Sequence, residues 1–427
     1  MQGRGEFRRN WRVAAAAFVG MFTGVTAFPM YVIGPFLPYY RAEFGWSATA
    51  ISLCSTCYGA GLFLTSPLTG VLTDRFGVRR VAMTSQTLLA ACFFALSFLG
   101  GPVAVLFLLY FACGSLGSGA GPITHSRAIN GWFETSRGFA LGIALAGTGL
   151  ASALAPLIVE AIAPEHGWRS AWRFLSLLLL LAVPVLFWGL KEPPHSRADL
   201  MRAGSQQTAA HDIDGATSGQ AVRTPVFWIS SFSVVTLSVF LPQLIIHFGP
   251  SMMERGLSRP AAAANTALLG VAMLLGRLSV GWVIDRVFAP LVACVMFLAA
   301  AAGCALFGWL GAPLAAPMII AMGLVMGAEV DMMSFLTAKY FGLRHFGRIF
   351  GVVTSIYTGS ALFSPLVATP LRAFGGYPAL YFAAAASFTI GGVAFLFLGP
   401  YRRGSAAPSP LAAGGPIETV TGPGIFS

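Results

Sequence analysis

Charge is the scarce ingredient of this sequence. Only 10% of its 427 residues are Asp, Glu, Lys or Arg, against 56% hydrophobic, and the mean hydropathy is +0.76. A soluble chain of this length needs roughly 25% charged residues to cover its surface. Water is therefore excluded as the solvent of most of the molecule, and the chain reads as an integral membrane protein. Enzyme signatures are missing too. There is no H-E-x-x-H, no G-x-S-x-G and no nucleotide loop, so no enzyme and no cofactor is expected. GSLGSGAGP at 114–122 has the glycines of a phosphate loop but lacks the preceding strand and the Lys-Ser/Thr. It lies within an apolar run, where glycines serve close helix packing. The six cysteines all lie inside apolar runs, and the C-x-x-C of Cys54 and Cys57 has no βαβ context, so they read as small buried hydrophobes. A net charge of +11 raises the question of nucleic acid, but the basic residues are scattered singly through short polar gaps. Without a basic face, nucleic acid is excluded as a partner.

What the chain does have is long apolar runs. About 20 such residues cross the hydrocarbon core as a helix. Runs of that order lie at about 13–39, 48–72, 81–100, 102–124, 138–161 and 171–190, and again at about 224–249, 261–284, 289–310, 313–337, 348–371 and 377–400. The opening MQGRGEFRRNWR resembles a signal-peptide n-region, but the run after it is too long for an h-region and ends without a cleavage site, so it reads as a retained first helix. The predicted organisation is an N-terminal six-helix bundle at 1–190, a cytoplasmic linker at 191–223, a C-terminal six-helix bundle at 224–400, and a disordered cytoplasmic tail at 401–427 rich in Pro, Gly and Ala.

The halves repeat. FGWSATAIS at 44–52 matches RGLSRPAAA at 255–263, and GVLTDRFGVRR at 70–80 matches GWVIDRVFAPL at 281–291. Gly70, Asp74, Arg75 and Arg137 pair with Gly281, Asp285, Arg286 and Arg348, every pair 211 residues apart, and GWRSAWRF at 167–174 echoes GYPALYF at 376–382. The expected fold is all-α and membrane-integral, with 12 transmembrane helices as two pseudo-symmetric six-helix bundles. Parallel repeats of this kind put a substrate site near mid-membrane, between the halves.

Orientation follows from the cations. With both termini in the cytoplasm, 19 of the 26 Lys and Arg fall on inside segments and 6 on outside loops, and the one left over is Arg277. Arg127 is the marginal case among the inside cations, because Trp132 and Phe133 set the interface a turn later. In GRLSVGWVIDR at 276–286, Arg277 lies eight residues before Asp285, about 12 Å inside the edge. An arginine there costs about 2.5–3.5 kcal/mol by insertion scales, which calls for a use. Its planar fork accepts a carboxylate through two parallel hydrogen bonds; the bland alternative is a buried ion pair tying the eighth helix to a neighbour. Glu329 and Asp331, in VMGAEVDMM, lie at the same depth. Asp331 continues the small-residue stripe of Gly323 and Gly327, a packing face, so Glu329 is the better candidate for a proton site and Asp331 the second.

The G70-V-L-T-D74-R75-F-G77-V-R79-R80 stretch, its echo at 281–286 and the six-plus-six layout resemble the major facilitator superfamily over nearly the whole chain. FGWSATAIS, TPVFWIS, GRLSVGWVIDR and GAEVDMMSFLTAKYFGLRHFGRIFG look like the bacterial monocarboxylate transporter and oxalate–formate antiporter branch. That resemblance implies alternating access, a carboxylate partner at Arg277, and a gating motif of Gly70, Asp74, Arg75, Gly77, Arg79, Arg80, Asp285 and Arg286. It implies that Asp74 meets the start of the eleventh helix near Arg348. By the same analogy Tyr31, Gln243 and Tyr357 line the cavity, and His247 is a further proton-coupling candidate. Arg75, Arg79 and Arg80 also fit plain positive-inside anchors. The sequence departs from the branch in three places: there is no cation at 349–371, Met273 stands where animal members carry an acid, and no lysine lies at 13–39. One cavity cation suits a monocarboxylate rather than a dianion. The expectation is a monomeric secondary transporter of a small organic anion, by proton symport or anion exchange, in a bacterial inner membrane. The alternative is an exporter of an apolar or cationic compound with Arg277 structural.

Overall fold

The computed structural model describes residues 2–192 and 215–401; the middle of the expected linker and nearly all of the expected tail lie outside these described residues. Within them the chain is helical, with one isolated bridge between Gly215 and Gly342. The first half comprises α1 (residues 2–44), α2 (Ala48–Phe76), α3 (Val78–Leu96), α4 (Val103–Trp132), α5 (Arg137–His166) and α6 (Trp168–Gly189). The second half comprises α7 (Pro225–Glu254), α8 (Arg259–Ile284), α9 (Ala289–Leu310), α10 (Ala315–Phe341), α11 (residues 346–374) and α12 (residues 377–394). Among the described residues, seven stretches are long and apolar enough by themselves to cross a membrane, the last of them, Phe346–Phe397, holding both α11 and α12.

Several helices are broken. α1 loses its helical path between Phe22 and Phe28, α4 tightens at Ser118–Ala120, α7 breaks at Val239 and Phe240, and α11 breaks at Phe363. Pro29, Pro122, Pro242 and Pro365 restart the helices after these breaks, at first-turn positions where the missing N–H costs nothing. The α1 and α4 breaks satisfy each other: Val25 N donates to the Ala120 carbonyl at 3.3 Å, and the Tyr58 hydroxyl donates to the Val25 carbonyl at 2.6 Å. α1 also begins earlier than its apolar run. Its polar first turns are held because the Glu6 carboxylate accepts from Glu134 N at 2.7 Å and from Ser136 N at 3.0 Å, capping the start of α5.

The duplication is visible as chemistry. Ser47 and Ser258 both cap helices, accepting from Ala50 N and Ala261 N, and the left-handed Gly45 and positive-φ Gly256 precede them. The buried Trp172 donates to the Tyr40 hydroxyl at 2.9 Å, and in the other half Tyr381 hydrogen-bonds Ser251 at 2.7 Å. One sequence pairing needs correction. Helix α5 starts at Arg137 and α11 at Phe346, so beyond the α4–α5 and α10–α11 turns the offset is 209. The structural mate of Arg348 is Phe139, and that of Arg137 is Phe346. The two turns, 133–136 and 342–345, are equally long, and α10 already ends 209 residues after α4, so the offset changes before the turns, which a fixed-offset alignment cannot detect.

Trp172 is a test of the first-half core. It is fully buried, stacked on Phe36 with centroids 4.3 Å apart and edge-on to Phe93 at 4.9 Å. Trp172→Ala is expected to cost about 3–5 kcal/mol, and Trp172→Phe about 1 kcal/mol for the lost hydrogen bond. Thermal unfolding of the purified protein in detergent should rank the three in that order.

Candidate functional site

The ends of α2, α4, α8 and α10 and both termini of the described chain lie on one face, which also carries the linker ends; it is called here the linker face, and its opposite the distal face. Hydrogen bonds between the halves gather between mid-depth and the linker face. Two contacts form a matched pair there. The Asp74 carboxylate, at the end of α2, accepts from Gly347 N at 3.0 Å and Arg348 N at 2.9 Å, at the start of α11. The Asp285 carboxylate, just past α8, accepts from Gly138 N at 2.6 Å and Phe139 N at 3.0 Å, at the start of α5. Helix N-termini present unpaired N–H groups and the positive end of the dipole, so each aspartate caps a helix of the opposite half. Glycines make the approach possible: a Cβ on Gly70 would overlap the Gly347 carbonyl oxygen, and one on Gly281 the Gly138 carbonyl oxygen.

The two locks are not equal. Arg127 Nη1 lies 2.8 Å from Asp74 Oδ1 and donates to the Leu343 carbonyl across the interface at 3.0 Å. Arg127 is thus buried inside the closed face rather than at the membrane edge. One turn on, Asn130 donates to Ser334 Oγ of the other half at 2.8 Å. The remaining arginines of the expected gating motif are elsewhere. Arg75 lies over Phe76, Arg79 over Phe187 at 3.9 Å, and Arg286 over Trp282 at 3.8 Å, while Arg80 is exposed. Aromatic faces at the membrane edge hold Arg75, Arg79 and Arg286, and among the described residues none of the four forms an ion pair with an aspartate of the locks, although Arg286 stands within electrostatic reach of Asp285. Gly77 serves the turn: its φ of +89° ends α2, beside the Glu192 carboxylate.

Above the locks lies a mid-depth cluster. Arg277 is 5% exposed, in the seam where α8 crosses α5. A Cβ on Gly142 would overlap the Arg277 carbonyl oxygen, so the two backbones touch. Its Nη1 donates to the Leu145 carbonyl of the other half at 3.0 Å and stands 3.9 Å from Asp331 Oδ1. That second separation is beyond hydrogen-bond reach, and among the described residues Arg277 Nε and both Asp331 oxygens have no hydrogen-bond partner. The charges are near each other but incompletely satisfied. Asp331 is 1% exposed on the stripe with which Gly323 and Gly327 pack against α8. Glu329 points another way: its Oε1 accepts from the Tyr357 hydroxyl of α11 at 2.6 Å, and its Oε2 is unpartnered. Tyr31, Glu329, Tyr357 and Asp331 all stand within electrostatic reach of Arg277. Four candidates from three helices beyond α8 therefore meet at one depth.

The two α7 candidates differ. Gln243 is buried on α7. His247, one turn further, is half-buried towards the distal face, where its ring accepts at Nε2 from Arg372 Nη1 at 3.0 Å beside Tyr377. The structure does not bring it to the Arg277 cluster. Arg372 itself lies inside α11, which runs three residues beyond its apolar run. So α11 does hold a distal cation, though one fifteen residues from Tyr357. His125 was not singled out from sequence. It is fully buried, pressed against Gly20 of α1, with Nδ1 on the Gly121 carbonyl at 2.9 Å and Nε2 unpartnered. Its only sequence signal is a histidine within an apolar run.

Residues 19–365 match the family model described as Major Facilitator Superfamily. Among curated relatives, the chain is 26% identical over 65% of its length to "Uncharacterized MFS-type transporter YcxA" of Bacillus subtilis (strain 168), spanning 66% of that protein. It is 25% identical over 91% of its length to "Monocarboxylate transporter 11" of Mus musculus, spanning 87% of it. It is also 25% identical over 65% of its length to "Gallate transporter" of Pseudomonas putida, spanning 66% of it. Among solved structures, the proton:xylose symporter XylE superposes with a TM-score of 0.73 at 14% identity, covering 92% of this chain and 96% of that one. At that identity the likeness is one of fold, two six-helix bundles of twelve membrane helices.

Proposed function

The chain belongs to the Major Facilitator Superfamily, and from that premise we propose that it is a secondary transporter of a small organic anion, a monocarboxylate, working by alternating access with proton symport or anion exchange. Arg277 is the carboxylate's partner in this reading, and Glu329 is the proton-coupling group. The observation that carries it is the mid-depth cluster: a guanidinium between the halves with Nε unpaired and its nearest carboxylate held at 3.9 Å. A substrate carboxylate completes that fork better than Asp331 does. Relatives named for monocarboxylate and gallate transport support an anionic substrate. Placing the linker face in the cytoplasm of a bacterial cell makes this the state closed on the inside, ready to load from outside. Tyr31 and Tyr357 would orient the bound acid, and rocking of the halves would release Arg277 Nη1 from the Leu145 carbonyl of the other half.

Glu329 suits proton coupling because Tyr357 holds one oxygen and leaves the other free. Neutral in the loaded state and ionised after release, it would offset the substrate's charge during the transit. Glu329→Gln is expected to abolish accumulation of labelled acid driven by a pH gradient, by tenfold or more, while leaving counterflow exchange of preloaded vesicles within about twofold. Retention of gradient-driven accumulation by this variant would remove Glu329 from the role. A second reading, export of an apolar or cationic compound, draws on a specific feature. A narrow apolar cleft runs inside the second half between Phe227, Phe297, Met332, Met333 and Phe395, with Glu329 as the charged residue lining it. Resistance to such compounds on expression, without carboxylate uptake in proteoliposomes, would favour that reading.

A further inference from the structure

We propose that the first half holds one anionic glycerophospholipid on its membrane-facing surface, with the phosphate on Arg79, Arg80 and Lys191 and an acyl chain laid along the furrow between α2, α3 and α4. Two recesses meet there. One opens at the linker face among Arg79, Arg80, Thr84, Phe187, Lys191 and Glu192. The other is a furrow whose exposed surface is mostly apolar, walled by Leu68, Leu72, Phe76, Leu88 and Leu116, with Thr65, Thr69, Ser85, Ser115 and Ser118 between them. Both share Arg80 and Thr84, so a single molecule can occupy them end to end.

The head-group end is positive and built. Glu192 is the one acid among three cations, and its two oxygens are already engaged, accepting from Val78 N and Arg79 N at 3.1 Å each. The Arg79 guanidinium is held 3.9 Å over the Phe187 ring, and the Lys191 carbonyl accepts from Trp132 Nε1 at 3.1 Å, fixing the segment that carries the lysine. Cations gathered at one membrane surface recognise anionic head groups; the ammonium of a zwitterionic head group would sit badly among them. The furrow end fits a hydrocarbon chain. It follows α2 from Phe76 back to Thr65, eleven residues or about 16 Å at 1.5 Å per residue. Half of the roughly 30 Å hydrocarbon core is nearly the same length, so the furrow reaches from head-group level to mid-membrane. Its walls are Leu68, Leu88 and Leu116, respectively 56%, 43% and 44% exposed. Water does not fill such a groove inside a bilayer, whereas a lipid tail does.

Native mass spectrometry of the full chain in detergent, with phosphatidylglycerol, phosphatidylethanolamine or phosphatidylcholine added, tests this. Phosphatidylglycerol is expected to be retained at least fivefold over phosphatidylcholine. The triple variant R79Q/R80Q/K191Q should fall to the phosphatidylcholine level. Leu116→Trp, which fills the furrow without touching a charge, should lower retention at least threefold and keeps the test decisive if the triple variant does not fold. Soluble glycerol 3-phosphate at equal concentration should not displace the lipid. Equal retention of the three lipids, undiminished phosphatidylglycerol on both variants, or displacement by glycerol 3-phosphate would overturn the proposal.

Discussion

Arg277→Lys is expected to lower monocarboxylate uptake into proteoliposomes by about 10- to 100-fold while the protein still inserts and folds. Lysine keeps the charge but offers a point rather than a fork. One of two charge-assisted hydrogen bonds is then lost, worth about 1.5–3 kcal/mol. The structural alternative, an ion pair between Arg277 and Asp331, needs a separate arm because both side chains are buried. Arg277→Gln leaves Asp331 as an uncompensated buried charge, at a cost of about 3–5 kcal/mol, so it should lower thermal stability as well as transport. Adding Asp331→Asn removes that charge. The double variant should regain stability and remain inactive. Wild-type uptake by the double variant would assign Arg277 to the ion pair alone, and full uptake by Arg277→Lys would show that no fork is needed.

Opening the linker face is the second large effect. Asp74→Asn and Asp285→Asn each leave one oxygen to accept from the helix N-terminus, so one charged hydrogen bond becomes neutral and the other is lost, with an NH2 donor set against a backbone N–H. A charged bond is worth about 1.5–3 kcal/mol against about 1 for a neutral one, so losses of a few kcal/mol shift the closed-to-open ratio by tenfold or more. Asp74→Asn should act more strongly, because it also strips the buried Arg127 of its partner at 2.8 Å. Spin labels at Glu134 and Arg344, on opposite halves of that face, report the change in a background with the six cysteines replaced. Double electron–electron resonance should give mainly the short distance in the unaltered protein, a mixture in the Asp285 variant, and mainly a longer distance in the Asp74 variant. An unchanged distribution in both variants would remove the aspartates from the lock. Gly70→Leu, which puts a side chain against the Gly347 carbonyl, should open the face by sterics with both charges intact.

Much of this was legible from the sequence for a simple reason. Burial in lipid demands runs of apolar residues, and helices must satisfy their own backbone within each run. Run length therefore set the number of spans, the 211-residue echo set the two halves, and the cost of a mid-span guanidinium singled out Arg277. Asp74 was expected near the start of α11, and its carboxylate lies on Gly347 N and Arg348 N. Other features depend on where helices touch, which no run encodes. Arg127 counted among the inside cations as the marginal case, because Trp132 and Phe133 lie a turn later, and only the packing of α4 against α2 and the α10–α11 turn made it Asp74's partner. His247 and Arg372 lie 125 residues apart and meet because α7 and α11 do. Arg79 and Lys191 share a surface because α3 and α6 pack side by side. Composition and periodicity determined what crosses the membrane and how many times. Contacts between helices decided which charges meet, because the energy of a buried charge depends on neighbours a few ångströms away rather than on its place in the chain.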